Sequence, residues 1–313
     1  MLAVFLFAIA GAFAQLVDGT LGMGFGVSSS TLLIALGATP VAASSSVYFA
    51  TIGTSLSSGA AHWKEGNVDK VVLLRLALPG ALGAFAGATF LASISMSSAK
   101  AAMSGLLFIL GIILLVRFGF GLRLVKPIKG RPRGYVLASI GGFAGFVTAT
   151  GGGGWGPITT PTLLTLTKTH PRLVIGTVSA AEFLVAIAAS LGFINAFVNN
   201  PETAALIDYK VVLGLLLGGA IMAPFAAKLT GRMPHEPFGV IVGGLVLLLN
   251  AKTISDSLFG PTIGLPIVAL IIVGITGFLA TRAFQREKGH HTPHTPEDFA
   301  GPEEEISEDQ VPQ

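Results

Sequence analysis

Hydrophobic residues run along this chain in long blocks with few polar interruptions. Apolar stretches cover residues 41–61, 71–92, 101–116, 173–198, 211–227, 239–249 and 263–284. None shows the polar face of a helix packed on a soluble core, and with their flanks they approach the ~20 residues needed to cross a bilayer. They predict membrane helices.

Two further apolar regions, residues 11–40 and 141–171, are each interrupted by glycine. The first break reads Asp18-Gly19-Thr20-Leu21-Gly22-Met23-Gly24-Phe25-Gly26, and the second Thr148-Ala149-Thr150-Gly151-Gly152-Gly153-Gly154-Trp155-Gly156. At a constant offset, Phe13, Ala14, Val17, Thr20, Gly22, Gly24 and Gly26 fall on Phe143, Ala144, Val147, Thr150, Gly152, Gly154 and Gly156. Matching broken segments in two halves are the sequence pattern of a secondary transporter's binding site. The expected fold is an all-α polytopic membrane protein of two repeats, each a glycine-broken pair of short segments plus three transmembrane helices. Residues 1–117 form the first repeat, 118–134 a basic cytoplasmic linker, 135–251 the second repeat, 262–286 an additional transmembrane helix and 287–313 a disordered acidic tail.

Composition agrees. Hydrophobic residues make up 52% of the 313 and charged residues 11%, against roughly 25% charged in a soluble domain. The chain has no cysteine, which excludes disulfides and thiolate metal sites. No Lys or Arg precedes Lys64, so the first 15 residues lack the basic start of a signal peptide and read as mature membrane structure. The formal charge of +3 averages a basic body with a tail that, from Gly289 on, holds seven acidic residues and no Lys or Arg. Four prolines in that tail and few apolar residues point to disorder. His290, His291 and His294 are a weak metal signal. No metal, cofactor or nucleic-acid partner is expected.

Lys and Arg mark the cytoplasmic side of short loops. Arg117, Arg123, Lys126, Lys129, Arg131 and Arg133 anchor one loop there. Counting forward, Lys168 and Arg172 are inside, Asn199, Asn200, Glu202 and Asp208 outside, Lys228 and Arg232 inside, Lys252 and Asp256 outside, and Arg282, Arg286 and Lys288 inside. Counting back, Lys64 and Lys70 are inside and the first break opens outside. The repeats are then inverted, and the C-terminal tail is cytoplasmic. Parity is the same whether each broken pair re-enters or both halves cross, and charge does not separate the two.

Each break is expected to favour an anion, because a restarting helix presents N–H groups without intrahelical partners and a partial positive charge. The candidate substrate site comprises Gly22, Gly24, Gly26, Ser28, Ser29 and Ser30 from the first break, and Gly152, Gly154, Trp155, Gly156, Thr159 and Thr160 from the second. Glycine lets a ligand approach the backbone, Pro157 suits a first helical turn, and the hydroxyls either donate to the ligand or cap their own helices. Gly22, Gly24 and Gly26 are not a nucleotide loop, since no Gly-Lys-Ser/Thr follows. No catalytic residues are expected: His62, His170 and His235 sit at predicted loop edges, none spaced beside the serines. Two carboxylates lie where they are costly. Asp18 is in the first break, and Glu182, ten residues past Arg172, is about 15 Å deep. Either is a candidate to carry a coupling proton, or is a neutral structural acid, or, for Asp18, a helix cap. Thr148 and Thr51 occupy the equivalent places. Asp69 and Asp208 read as helix caps, and Trp63 and Tyr209 as anchors at opposite interfaces.

The duplicated Gly-x-Gly-x-Gly break, followed at its second occurrence by Pro157, resembles that of the TauE/SafE sulfite exporter family, the TSUP transporters. The loop from His62 to Asp69, ending Gly66-Asn67-Val68-Asp69, is similar to that family's loop after its second segment. The resemblance covers roughly residues 2–284 and not the tail. It implies a cytoplasmic-membrane transporter for sulfite, sulfonates or other small sulfur-containing anions, in a family whose members differ in substrate and direction. The expected function is a secondary carrier exporting such an anion by alternating access. A passive anion channel and a carrier for a non-sulfur anion are the alternatives. The expected partners are the small anion and the lipid bilayer, with a homo-oligomer left open.

Overall fold

The computed structural model describes residues 2–121, 130–204, 207–230, 235–250 and 264–289. Its elements are helices: α1 (Leu2–Leu21), α2 (Phe25–Ala35), α3 (Pro40–Lys64), α4 (Lys70–Ser93), α5 (Met96–Phe120), α6 (Gly134–Gly151), α7 (Trp155–Leu166), α8 (Pro171–Asn199), α9 (Pro201–Ala204), α10 (Tyr209–Leu229), α11 (His235–Leu249) and α12 (Gly264–Gly289). Among the described residues, seven helices are long and apolar enough to cross a membrane: α1, α4, α5, α6, α8, α10 and α12. Residues 290–313, with the tail histidines and acidic residues, lie outside the described residues, as do Arg123, Lys126, Lys129, Arg232, Lys252 and Asp256.

The breaks fall where expected, but their two sides are unequal. Instead of two short halves, α1 has 20 residues and α6 has 18, enough to span, while α2 has 11 and α7 has 12. The apolar run before each break simply extends further back than the repeat pattern suggested. The long α3 is less apolar than its neighbours, and its Ser44, Ser45, Ser46, Ser55 and Ser58 are buried inside the protein. Helix starts follow the expected chemistry. Asp69 Oδ1 accepts from the Val71 and Val72 amides at 2.9 and 3.1 Å, and Asp208 Oδ1 from the Lys210 amide at 2.8 Å. Trp63 and Tyr209 are exposed, each with a lysine ammonium over its ring.

Small residues let the long helices meet backbone to backbone. A Cβ on Gly218 would overlap the Ala8 backbone, and one on Gly11 would lie 2.8 Å from Leu215 Cα, so α1 lies directly on α10. Gly83, Gly87, Gly141 and Gly145 do the same for α4 and α6. Within lipid, where apolar surface gains little by leaving the solvent, such close packing is the main attraction between helices.

The paired residues also give direction. Gly214 meets Val4 and Gly19 meets Ala226, so α1 and α10 run parallel. Gly53 meets Leu216 and Ser57 bonds to Ala220, so α3 runs with them. Gly141 against Leu76 with Gly87 against Phe146, and Gly80 against Val185 with Gly192 against Phe85, make α6, α4 and α8 a second parallel set. Between the sets, α3 and α8 are antiparallel: Gly59 meets Ala180, and the Tyr48 and Phe193 rings are 6.3 Å apart. Exchanging the halves, α1 with α6, α3 with α8 and α4 with α10, leaves this packing pattern unchanged. Lys64, Lys70, Arg133, Arg172 and Lys228 gather at one end of the bundle, the basic end. There α6 begins and α7 finishes, since Arg131, Pro132, Leu163, Thr167 and Asp69 line one small cavity.

Candidate functional site

The two breaks have the same backbone shape. Gly22 and Gly152 have φ of 69° and 70°, and Gly24 and Gly154 have φ of 137° and 136°, a region closed to side-chain-bearing residues without strain. Each helix restart is capped from seven residues earlier. The Phe25 amide donates to Asp18 Oδ1 at 3.4 Å, and the Trp155 amide to Thr148 Oγ1 at 3.0 Å. A carboxylate therefore occupies one restart and a neutral hydroxyl the other. Thr148 also accepts from the Tyr48 hydroxyl at 2.8 Å, which ties α3 to the second break.

The breaks touch one another at the centre of the molecule. A Cβ on Gly26 would lie 3.0 Å from Gly153 Cα, and one on Gly156 would lie 2.6 Å from Met23 Cα. Across this crossing Thr160 Oγ1 donates to the Gly22 carbonyl at 2.6 Å, while Ser30 packs on Gly152. The candidate residues are thus brought together, but with different roles. Gly22, Gly24, Gly152, Gly154, Trp155 and Gly156 are buried. Trp155 donates its Nε1 proton to the Val178 carbonyl at 3.0 Å, and its ring lies where a Cβ on Gly80 would fall.

The hydroxyls have partners of their own. Ser30, Thr159 and Thr160 spend their protons on the carbonyls of Gly26, Trp155 and Gly22, so they do not donate to a ligand in this state. In a non-aqueous interior a hydroxyl satisfies the nearest carbonyl first, as is common for Ser and Thr one turn along a helix. Ser29 differs, with a buried Oγ that has no hydrogen bond, and Gly26 and Ser28 are only partly buried.

Asp18 is 4% exposed, and Glu182 of α8, partly buried, lies within electrostatic reach of it. The two candidate carboxylates, 164 positions apart in the chain, are near one another in the fold. Two residues outside the sequence-based set join them. Tyr48, the cap partner of Thr148, lay inside an apolar block, and only its phenol could have marked it. His62 was expected at a loop edge because the apolar block stops at Ala61, yet α3 continues through Lys64 and buries its imidazole completely.

At the basic end, Arg117 of α5 donates to the Pro161 carbonyl and Thr165 hydroxyl of α7, placing a cation at that helix's C-terminal end. Arg131 pairs with Asp69 at 2.7 Å. Partial burial pushes the Asp69 carboxyl up, but the Arg131 bond and charge and the two cap amides outweigh it and hold the group below the usual carboxylate range. Among the described residues, no cluster of three or more His, Cys, Asp or Glu side chains is arranged to hold a metal ion.

Residues 7–253 match the sulfite exporter TauE/SafE family. The chain is 40% identical over 271 residues to the probable membrane transporter protein YtnM of Bacillus subtilis (strain 168), covering 86% of this chain and 89% of the relative. It is 27% identical over 218 residues to the probable membrane transporter protein YdhB of the same organism, covering 69% of this chain and 84% of that protein. No solved structure matches significantly.

Proposed function

Because the chain belongs to the sulfite exporter TauE/SafE family, we propose that this membrane transporter is a secondary carrier exporting sulfite, a sulfonate or another small sulfur-containing anion across the cytoplasmic membrane by alternating access. The observation that carries the reading is the contact between two like-shaped glycine breaks at the centre of a bundle whose packing survives exchange of its halves. The antiparallel relation of α3 and α8, with α1 parallel to one and α6 to the other, supports inverted repeats. Such a molecule has two related conformations of similar energy, open to opposite sides. The gathering of Lys and Arg at one end supports a cytoplasmic basic end.

The caps supply a route to coupling. Ionised Asp18 holds the restart of α2 as an internal anion, so a substrate anion must compete with it for the same N–H groups. A proton on Asp18 or Glu182 relieves this competition, since an anion and two carboxylates together in a low-dielectric site repel strongly. Substrate and proton then load together, with Gly26 and Ser28 as the accessible face of the site and the unpaired Ser29 hydroxyl beside them. The Thr148-capped restart of α7 carries no such competitor and is the second half of the cradle.

Counterflow in proteoliposomes with radiolabelled sulfite, sulfate, taurine and sulfoacetate at two external pH values tests this. Saturable exchange of one sulfur anion, altered by the proton gradient, is the expected result. Unsaturable flux would make the protein a passive channel, and exchange of carboxylates in place of all four probes would overturn the substrate class.

A further inference from the structure

His62 is the buried ionisable group for which the site as described has no use. It lies in the last turn of α3 with no exposed surface, its ring against the backbone of Gly19, the neighbour of Asp18. Both ring nitrogens are buried without a hydrogen bond of good geometry. It is not alone. Ser58 lies one turn earlier on the same face of α3, and Gln15 one turn before Gly19 on α1. Ser58 Oγ and Gln15 Nε2 are likewise buried with no partner. Gln15 Nε2 is 3.6 Å from where a Cβ on Gly19 would be. Unpaired polar side chains inside a membrane protein are costly, and they persist where a proton, ion or water is handled.

The other half of the molecule shows that the fold does not need them. With the breaks and the starts of α3 and α8 aligned, Gln15 corresponds to Gly145, Ser58 to Ala189 and His62 to Phe193. All three counterparts are buried among apolar neighbours. Phe193 packs on Tyr48, and the same exchange sets His62 opposite Ser179, whose hydroxyl is also buried and unpaired. Two aromatic rings fill the space in one half. By that correspondence an imidazole and a small hydroxyl take the place of the two rings in the other.

The position is also directional. His62 lies between the carboxylate pair and the basic end, where its own carbonyl accepts from the Asn67 amide at 2.9 Å in the loop that closes α3. The titratable or charged groups carried by the neighbouring elements are Asp18 on α1, Glu182 and Arg172 on α8, Lys228 on α10, Lys64 on its own helix, and Glu65 and Asp69 in the loop. Lys64, Glu65 and Lys228 are exposed, and Asp69 is paired with Arg131.

We propose that His62 is the relay that passes the coupling proton between the Asp18–Glu182 pair and the basic end of the protein. The imidazole accepts a proton at one ring nitrogen and releases one from the other, with no net change, while Gln15, Ser58 and Ser179 line the path. The inference rests on the proton-coupled reading above.

The test uses the full-length protein in proteoliposomes loaded with a pH-sensitive dye, with sulfite as probe. His62→Phe installs the residue of the other half, and His62→Gln keeps a polar side chain. The expected result is that sulfite-driven proton movement falls tenfold or more in both variants and net uptake loses its pH dependence, while counterflow, which needs no net proton movement, falls less than threefold. Unaltered proton movement and pH profile would overturn the proposal. So would parallel loss of net uptake and counterflow in well-folded variants, the mark of a structural role. If the wild type moves no sulfite, the substrate reading has failed, and His62 is decided by nitrogen-15 histidine NMR in nanodiscs. There the His62 signal, assigned by its loss in His62→Phe, is expected to change its titration midpoint by about half a pH unit or more in an Asp18→Asn, Glu182→Gln variant. An unchanged midpoint, or no titration, would overturn the relay independently of substrate.

Discussion

Replacing Gly156 with alanine tests whether the crossing of the two breaks is a fixed contact. The added Cβ would lie 2.6 Å from Met23 Cα and overlap the Gly22 carbonyl oxygen. Ordinary contact begins near 3.4 Å, so the backbones must separate by about 1 Å, and no rotamer change relieves a clash with backbone. Overpacking of this kind costs about 1–3 kcal/mol, reduced by up to about 1 kcal/mol through alanine's better helix propensity. A net loss of about 1–2 kcal/mol corresponds to a fall in melting temperature of about 1.5–3 °C for a chain of this size. If the crossing is also the substrate site, flux should fall about tenfold, the factor equivalent to 1.4 kcal/mol. Gly105→Ala is the internal control, because a Cβ there meets nothing within 4 Å and the gain in helix propensity alone applies. Gly26→Ala, with its nearest backbone atom at 3.0 Å, should fall between the two. The assay is thermal unfolding in detergent together with proteoliposome flux. A Gly156→Ala protein that melts with Gly105→Ala and transports at the wild-type rate would refute the reasoning.

Three further outcomes are expected. Glu182→Gln should flatten the pH dependence of flux, measured between pH 5.5 and 8 in proteoliposomes, and a retained profile would make Glu182 structural. Tyr48→Phe removes the hydroxyl that donates to Thr148 while leaving the Trp155 amide bond in place, and should lower stability by about 0.5–1.5 kcal/mol in thermal unfolding. Arg131→Ala should cost no more than about 1 kcal/mol, since Arg131 is largely exposed. Because the Asp69 carboxyl is held below its ordinary range, this contribution is present at neutral pH and lost as pH falls through the lowered value. Wild type and variant should therefore converge in stability below about pH 4, and a constant gap would contradict the pairing.

The sequence revealed the two breaks and their repetition because only glycine accepts the φ values of Gly24 and Gly154, and the chain must state such a need openly. It also revealed the helix caps at Asp69 and Asp208, where the signal is local. The role of the hydroxyls was not legible. Whether Thr160 bonds a ligand or the Gly22 carbonyl depends on a contact between positions 138 residues apart. His62 was missed for a related reason: hydropathy ended the helix at Ala61, while the helix continues to Lys64 and sets the His62 ring against the backbone of Gly19. The nearness of Asp18 and Glu182 is likewise a tertiary fact, though place in the break singled out the first and depth the second.

The way α1 lies on α10 and α6 lies on α4 bears on how the protein is made. Each half lends its opening helix to the other, so neither can finish its own packing. As the chain leaves the ribosome, the glycine- and alanine-lined face of α1 meets lipid first and waits about 200 residues for its partner, whereas α6 docks at once on a helix already in place. Assembly should therefore close late and from the C-terminal side. Separately expressed fragments cut between α5 and α6 should be unstable singly and recover transport when made together.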